Sequence, residues 1–152
     1  MSSDLLTTVI IRHPKERISK CSLKGLHDRS SLRFIKARPG FTYDASCHTV
    51  LALDSPVLSK SDAERPLLLL DSTWRLLPQL KQCLRGEPVC RSLPPDVKTA
   101  YPRKSKLTED PLQGLASVEA LYLSLRILGV NDISILDDYH WKDTFMAING
   151  IS

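Results

Sequence analysis

The feature that most constrains the fold is an unbroken run of four leucines at residues 67–70 that ends at polar residues. A run that is apolar at every position is typical of a strand buried on both faces of a parallel sheet. Asp71, Ser72, Thr73 and Trp74 follow it directly. Because ligands bind beyond the carboxyl ends of parallel strands, these four residues are predicted to lie at a functional site.

Strand-like and helix-like segments alternate along the rest of the chain. Strands are predicted at residues 5–11, 49–53, 67–70, 89–93 and 133–136. Helices are predicted from Leu77 through Leu84 to a stop at Gly86, from Leu115 to a stop at Gly129, and over residues 140–148. This alternation predicts an α/β fold with a mostly parallel sheet and flanking helices.

Length and composition bound the kind of protein. The 152 residues suit one domain, and the formal charge of +4 is compatible with an RNA or phosphate-bearing partner. The four cysteines include no Cys-x-x-Cys pair, so reduced thiols are expected and no metal site is predicted. The chain has neither an apolar stretch of about 20 residues nor a secretory signal. A cytoplasmic protein without a membrane segment is expected.

Several short motifs, taken in order, resemble one known family. Asp71-Ser72-Thr73-Trp74 is similar to the Asp-x-Thr-Trp element that gives the DTW-domain RNA aminocarboxypropyltransferases their name. Further matching landmarks are Lys20-Cys21-Ser22, Leu53-Asp54-Ser55-Pro56, Arg91-Ser92-Leu93-Pro94, residues 115–120 and residues 141–149. The resemblance is greatest to the branch that modifies small-subunit ribosomal RNA. The tRNA branch stays an alternative because the loop at residues 100–106 departs from the ribosomal pattern.

The resemblance implies a fold, a cofactor and a reaction. The fold would be a single SPOUT-like domain over residues 1–152, with an N-terminal part at 1–60 and a cofactor-binding part with a trefoil knot at 61–152. The cofactor would be S-adenosylmethionine (SAM), whose 3-amino-3-carboxypropyl group would pass to a uridine-type base in RNA and leave methylthioadenosine. The partner would be rRNA or tRNA, the role rRNA processing in ribosome biogenesis, and the protein a monomer.

The resemblance also assigns roles to individual residues. Asp71 would be catalytic, either orienting the nucleobase or helping to remove a proton from the attacking nitrogen. The implied cofactor contacts are Ser22, Leu70, Trp74, Leu93, Gln113 and Ser117. The residue types alone allow other interpretations: Asp71 as a turn or cap residue, Ser117 as a helix N-cap, Trp74 as a core aromatic, and Leu70 and Leu93 as core residues.

Basic residues cluster in two predicted loops. Arg12, Lys15, Arg17, Lys20 and Lys24 form one cluster, and Arg103, Lys104 and Lys106 form the other. They are predicted to contact RNA phosphates if the loops converge on the site; otherwise they are solvated loop charges. His13 and His140 are interpreted as surface or capping residues.

Two other functions remain open at the level of sequence. The same fold and cofactor could transfer the methyl group of SAM to RNA. Alternatively, the chain could be a non-catalytic RNA-binding or assembly module, a possibility that rests on the divergent loop at residues 100–106.

Overall fold

A parallel sheet forms the centre of the protein. The computed structural model describes residues 7–14, 23, 25–26, 29–52, 55–72, 76–100 and 115–151. Five strands, β1 (Thr8–Arg12), β2 (Leu32–Lys36), β4 (Thr49–Leu51), β5 (Leu67–Asp71) and β7 (Val89–Arg91), pair in the order β2-β1-β5-β4-β7. Every pairing among them is parallel. The mostly parallel sheet predicted from the sequence is therefore confirmed.

Smaller elements surround this sheet. Two short strands, β3 (Tyr43–Asp44) and β6 (Leu84–Arg85), form a separate parallel pair. The α-helices of the described residues are α1 (Leu77–Lys81), α2 (Ser117–Ile127) and α3 (Lys142–Ile148). Two 3-10 helices span Lys60–Glu64 and Ile133–Leu136. None of the helices in the described part of the chain is long and apolar enough to cross a membrane.

The leucine run sits between two hydrophobic cores. Every residue of β1 and β5 is buried, because each strand lies between two others in the sheet and a hydrophobic core covers each face. Side chains alternate across a strand, so Leu67 and Leu69 pack into the core built around α2, and Leu68 and Leu70 into the core that contains Leu77 of α1. The two-sided burial predicted for this run is confirmed.

One predicted helix is shorter than expected, and one predicted strand is wrong. The helix that starts at Leu77 ends at Lys81, and Leu84 begins β6, because the Cys83 carbonyl accepts from the Tyr43 amide and draws the chain into the β3 pairing. Residues 133–136 form a 3-10 helix instead of a strand. There the Asp132 carboxylate accepts from the Ser134 amide, which favours a helical turn.

The helices predicted after Leu115 and near the C-terminus are confirmed as α2 and α3. Gly129 follows α2 with a φ of 104°, a left-handed conformation that suits the glycine stop predicted there. The trefoil knot expected within residues 61–152 remains a prediction; residues 73–75, 101–114 and 152 of that part lie outside the described residues.

Candidate functional site

The carboxyl ends of β1 and β5 lie side by side, and the chain leaves these two strands towards opposite sides of the sheet. Arg12 ends β1, Asp71 ends β5, and the two residues are register partners in the parallel pairing. From β1 the chain continues to β2 on one side, whereas from β5 it continues towards β7 on the other side. In parallel α/β sheets such a divergence creates a ligand-binding crevice beyond the strand ends, and from this rule we infer a crevice beside Arg12 and Asp71.

Asp71 is held by donors from two different elements. The Arg12 Nε donates to Asp71 Oδ2 at 3.0 Å, and the Ser117 hydroxyl donates to Oδ1 at 2.8 Å. Arg12 and Asp71 are each only 5% exposed. This Arg12–Asp71–Ser117 cluster joins β1, β5 and the first turn of α2, and it fixes the orientation of the carboxylate.

Ser117 has a different local role from the N-cap that its residue type suggested. The N-cap of α2 is Ala116, and Ser117 is the first residue of the helix proper. At that position its hydroxyl points to Asp71 instead of capping its own helix. The structure therefore brings together Asp71 and Ser117, two of the predicted site residues.

The placement of Arg12 in a solvated loop cluster is wrong. Arg12 is the last residue of a central strand, and its guanidinium carbon lies 5.5 Å from the centre of the Phe34 ring. This geometry allows a cation–π attraction beside the ion pair with Asp71. A signal for the pair exists in the sequence, because two apolar runs each end in a single charge and the charges are opposite.

His13 is also more enclosed than expected. Only 5% of His13 is exposed. Its Nε2 lies 3.1 Å from Oε1 of Gln79 in α1, and its backbone amide donates to the Asp71 carbonyl. The surface interpretation of His13 is therefore wrong, while His140 is exposed as predicted. His13 connects the carboxyl end of β5 with α1.

The remaining predicted site residues divide into two groups. Leu70 and Leu93 are buried in the two opposite hydrophobic cores, which agrees with the core interpretation of their side chains. The other predicted positions lie outside the described residues: Ser22, Trp74, Gln113, Lys15, Arg17, Lys20, Lys24, Arg103, Lys104 and Lys106.

Two basic residues that the sequence analysis did not single out lie beside the crevice. Lys36 ends β2 as the register partner of Arg12, and Arg38 follows two residues later. Both are exposed, and neither forms an ion pair with another described residue. They therefore add positive charge to the edge of the sheet that carries Asp71.

The described residues contain no group of three or more histidine, cysteine, aspartate or glutamate side chains arranged to hold a metal ion. At the carboxyl ends of β1 and β5, Arg12 and Asp71 form a buried ion pair in which the two charges compensate each other.

Comparison with known proteins gives a fold match. The chain is similar in structure to Tsr3 from Vulcanisaeta distributa, described as a SAM-dependent rRNA:acp-transferase, with a TM-score of 0.69 and 24% sequence identity. The match covers 95% of this chain and 79% of the Tsr3 chain. No protein-family model matches the chain, and a search of curated proteins found no significant match. The likeness shows that nearly the whole chain shares the fold of Tsr3.

Proposed function

We propose that the protein transfers the 3-amino-3-carboxypropyl group of SAM to a uridine-type base of RNA, with ribosomal RNA as the preferred substrate. The observation that carries the proposal is the fold match to Tsr3, a SAM-dependent rRNA:acp-transferase, over 95% of this chain. The Asp-Ser-Thr-Trp motif adds support, because its Asp71 ends the central strand β5 beside the crevice.

The residues at this edge suit the chemistry. Bound SAM would supply an electrophilic carbon next to its sulfonium. The new N–C bond would form as the C–S bond breaks, methylthioadenosine would leave, and the proton of the attacking nitrogen would pass to water. Because Asp71 neutralises Arg12, the buried guanidinium does not repel a cation brought to the crevice. A direct displacement needs alignment of the reacting atoms and no covalent enzyme intermediate.

Asp71 is proposed to orient the base. Its two oxygens already accept from Arg12 and Ser117, which favours a fixed hydrogen-bonding role over removal of a proton. Ser117 and the backbone at Leu70 and Leu93 are proposed to contact the cofactor, together with Ser22, Trp74 and Gln113. The Trp74 indole would suit a sulfonium through apolar contact and cation–π attraction.

The RNA is proposed to lie across the basic edge of the sheet. Exposed Lys36 and Arg38 would contact phosphates, and so would the two sequence clusters, Lys15, Arg17, Lys20 and Lys24 with Arg103, Lys104 and Lys106. The SPOUT class, the knot within residues 61–152, a monomeric state, a cytoplasmic location and a role in ribosome biogenesis belong to the same proposal.

The test uses SAM labelled either in the methyl group or in the carboxyl-bearing arm, incubated with the protein and small-subunit rRNA. Label from the carboxyl-bearing arm of SAM is expected to appear in the RNA. Label from the methyl group would instead identify a methyltransferase, and RNA binding without either label would identify a binding module. Repeating the assay with tRNA decides between the two RNA classes.

Asp71→Asn tests the role of the carboxylate. Transfer is expected to fall by roughly 10- to 100-fold, because the amide loses one acceptor and misaligns the reacting groups. Asp137→Asn is the matched control, since Asp137 is an exposed acid paired with Lys142 at 2.8 Å. Full transfer activity in Asp71→Asn would exclude a carboxylate-dependent role.

A further inference from the structure

Another buried carboxylate lies two residues beyond Ser117. Glu119, in the first turn of α2, is completely buried. Its Oε1 accepts from the Ala116 amide at 2.8 Å and from the Thr99 hydroxyl at 2.6 Å. Its Oε2 accepts from the Ala100 amide at 2.8 Å and from the Tyr139 hydroxyl at 2.9 Å. Four donors from three separate parts of the chain therefore meet on one side chain.

This arrangement exceeds what helix capping requires. A glutamate at the third helical position commonly accepts a single bond from the N-cap amide, and it does so at the surface. Here the carboxylate is withdrawn from water, which is costly unless its oxygens are well satisfied. The three additional donors satisfy that requirement and tie residues 99–100 and Tyr139 to the start of α2.

The segment that supplies two of these donors is itself fixed. The Asn149 side chain accepts from the Lys98 amide and donates to the Lys98 carbonyl, both at 2.8 Å. Thr99 and Ala100 follow directly and reach Glu119. The start of α2 is therefore held against a segment anchored from the C-terminal end of α3.

Glu119 is connected with the Asp71 carboxylate through two adjacent residues. Its bond to the Ala116 amide fixes the backbone immediately before Ser117, and the Ser117 hydroxyl donates to Asp71 Oδ1. A shift of the first turn of α2 would remove that donor and change how the Asp71 carboxylate is oriented. Glu119 thus helps to hold the backbone that carries Ser117.

We propose that Glu119 is a positioning residue that acts through Ser117 to orient the Asp71 carboxylate. The importance of this orientation for catalysis rests on the function proposed above. The orientation itself can be measured without substrate, so the two proposals fail separately.

The experiment compares Glu119→Gln, Ser117→Ala and the double variant. Glutamine keeps the shape of the side chain but replaces one acceptor oxygen by an NH2 group that faces donors. The matched control is Asp132→Asn, because Asp132 also caps a helical turn and accepts from Arg29 at 3.1 Å. The readouts are the ¹³C resonance of the Asp71 carboxyl group and the kcat and KM of transfer.

Glu119→Gln is expected to move the Asp71 resonance in the same direction as Ser117→Ala, with little further change in the double variant. The kcat should fall by roughly tenfold in Glu119→Gln, and the two substitutions should be non-additive. Because Ser117 is also proposed to contact SAM, any change in the KM for SAM should have the same direction in Glu119→Gln as in Ser117→Ala. Asp132→Asn should change neither readout. If Glu119→Gln does not fold, Tyr139→Phe removes a single donor and gives the same comparison.

An unmoved Asp71 resonance with full kcat in a folded variant would overturn the proposal and leave Glu119 a purely structural residue. Additive losses in the double variant would also overturn it, because Glu119 would then not act through Ser117. If the wild-type protein transfers no label from either part of SAM, the proposed function fails, and the Asp71 resonance still decides the positioning role.

Discussion

Loss of the Arg12 charge should destabilise the protein far more than loss of a surface charge. The side chains of Arg12 and Asp71 are only 6% and 7% exposed, with Nε and Oδ2 3.0 Å apart. At an effective dielectric constant of about 20, charges at this separation attract each other by about 5–6 kcal/mol. Removing one partner leaves the other charge buried, which typically costs about 3–5 kcal/mol. Arg12→Met is therefore expected to lower the free energy of unfolding by about 3–5 kcal/mol.

Urea unfolding followed by circular dichroism measures this loss, and thermal unfolding should show Tm lowered by roughly 6–20 °C for a domain of this size. The control is Lys142→Met, because the side chains of Lys142 and Asp137 are 29% and 59% exposed and such pairs contribute less than about 1 kcal/mol. Adding Asp71→Asn to Arg12→Met should recover part of the loss, because it removes the buried negative charge that Arg12 compensates. A loss for Arg12→Met no larger than that of the control would refute the reasoning.

Two further predictions concern RNA binding and pH. Lys36→Gln and Arg38→Gln should each weaken RNA binding and reduce the slope of log affinity against log salt by about 1, measured by fluorescence anisotropy, whereas Arg65→Gln at the opposite sheet edge should not. Unchanged slopes would exclude this part of the RNA surface. Burial lowers the pKa of His48, whose Nε2 lies 3.1 Å from the Tyr43 hydroxyl. The unfolded chain then binds the proton more readily, so this stability is present above about pH 6.5 and is lost as the pH falls towards the folded pKa. Between about pH 7.5 and 5.5, the loss of unfolding free energy should be smaller in His48→Gln; an equal loss would show that His48 does not carry this dependence.

Elements with a strong local pattern were predictable from sequence. The leucine run defined β5, and the spacing of Leu115, Val118 and Tyr122 with the stop at Gly129 defined α2. By contrast, β2 was missed because it lies at the edge of the sheet and only Leu32 among its five residues is buried. An edge strand needs no continuous apolar run, so its sequence carries little signal.

The errors arise where distant contacts override local preference. The spacing of Leu77, Leu80 and Leu84 fits a helix, yet Leu84 pairs with Tyr43 in a parallel ladder. Gly86, with a φ of 84°, allows the turn that follows this pairing. Periodicity alone contains no information about a partner strand some forty residues away in sequence.

The candidate site was predictable residue by residue but not as an assembly. Asp71 and Ser117 were both identified, from a strand end and a motif, whereas their direct contact was not. Arg12 was misplaced because its partnership with Asp71 depends on the register between β1 and β5. Register is a property of the folded sheet, and because every residue of β1 and β5 is buried, neither strand has the alternation of apolar and polar residues that would specify it in the sequence.

The order of the strands in the sheet determines which contacts can form while the chain is still being synthesised. Strand β1 emerges first, but its partner β5 follows only with Leu67–Asp71, and Ser117 emerges 46 residues after Asp71. Parallel pairings between such distant segments form slowly, because a long loop must close before any contact compensates for its entropy. A nascent chain can therefore bury its central strands while the Asp71 carboxylate still lacks the Ser117 donor. The crevice should become competent only when the last third of the chain has folded, so that ligand binding would report completion of the whole domain.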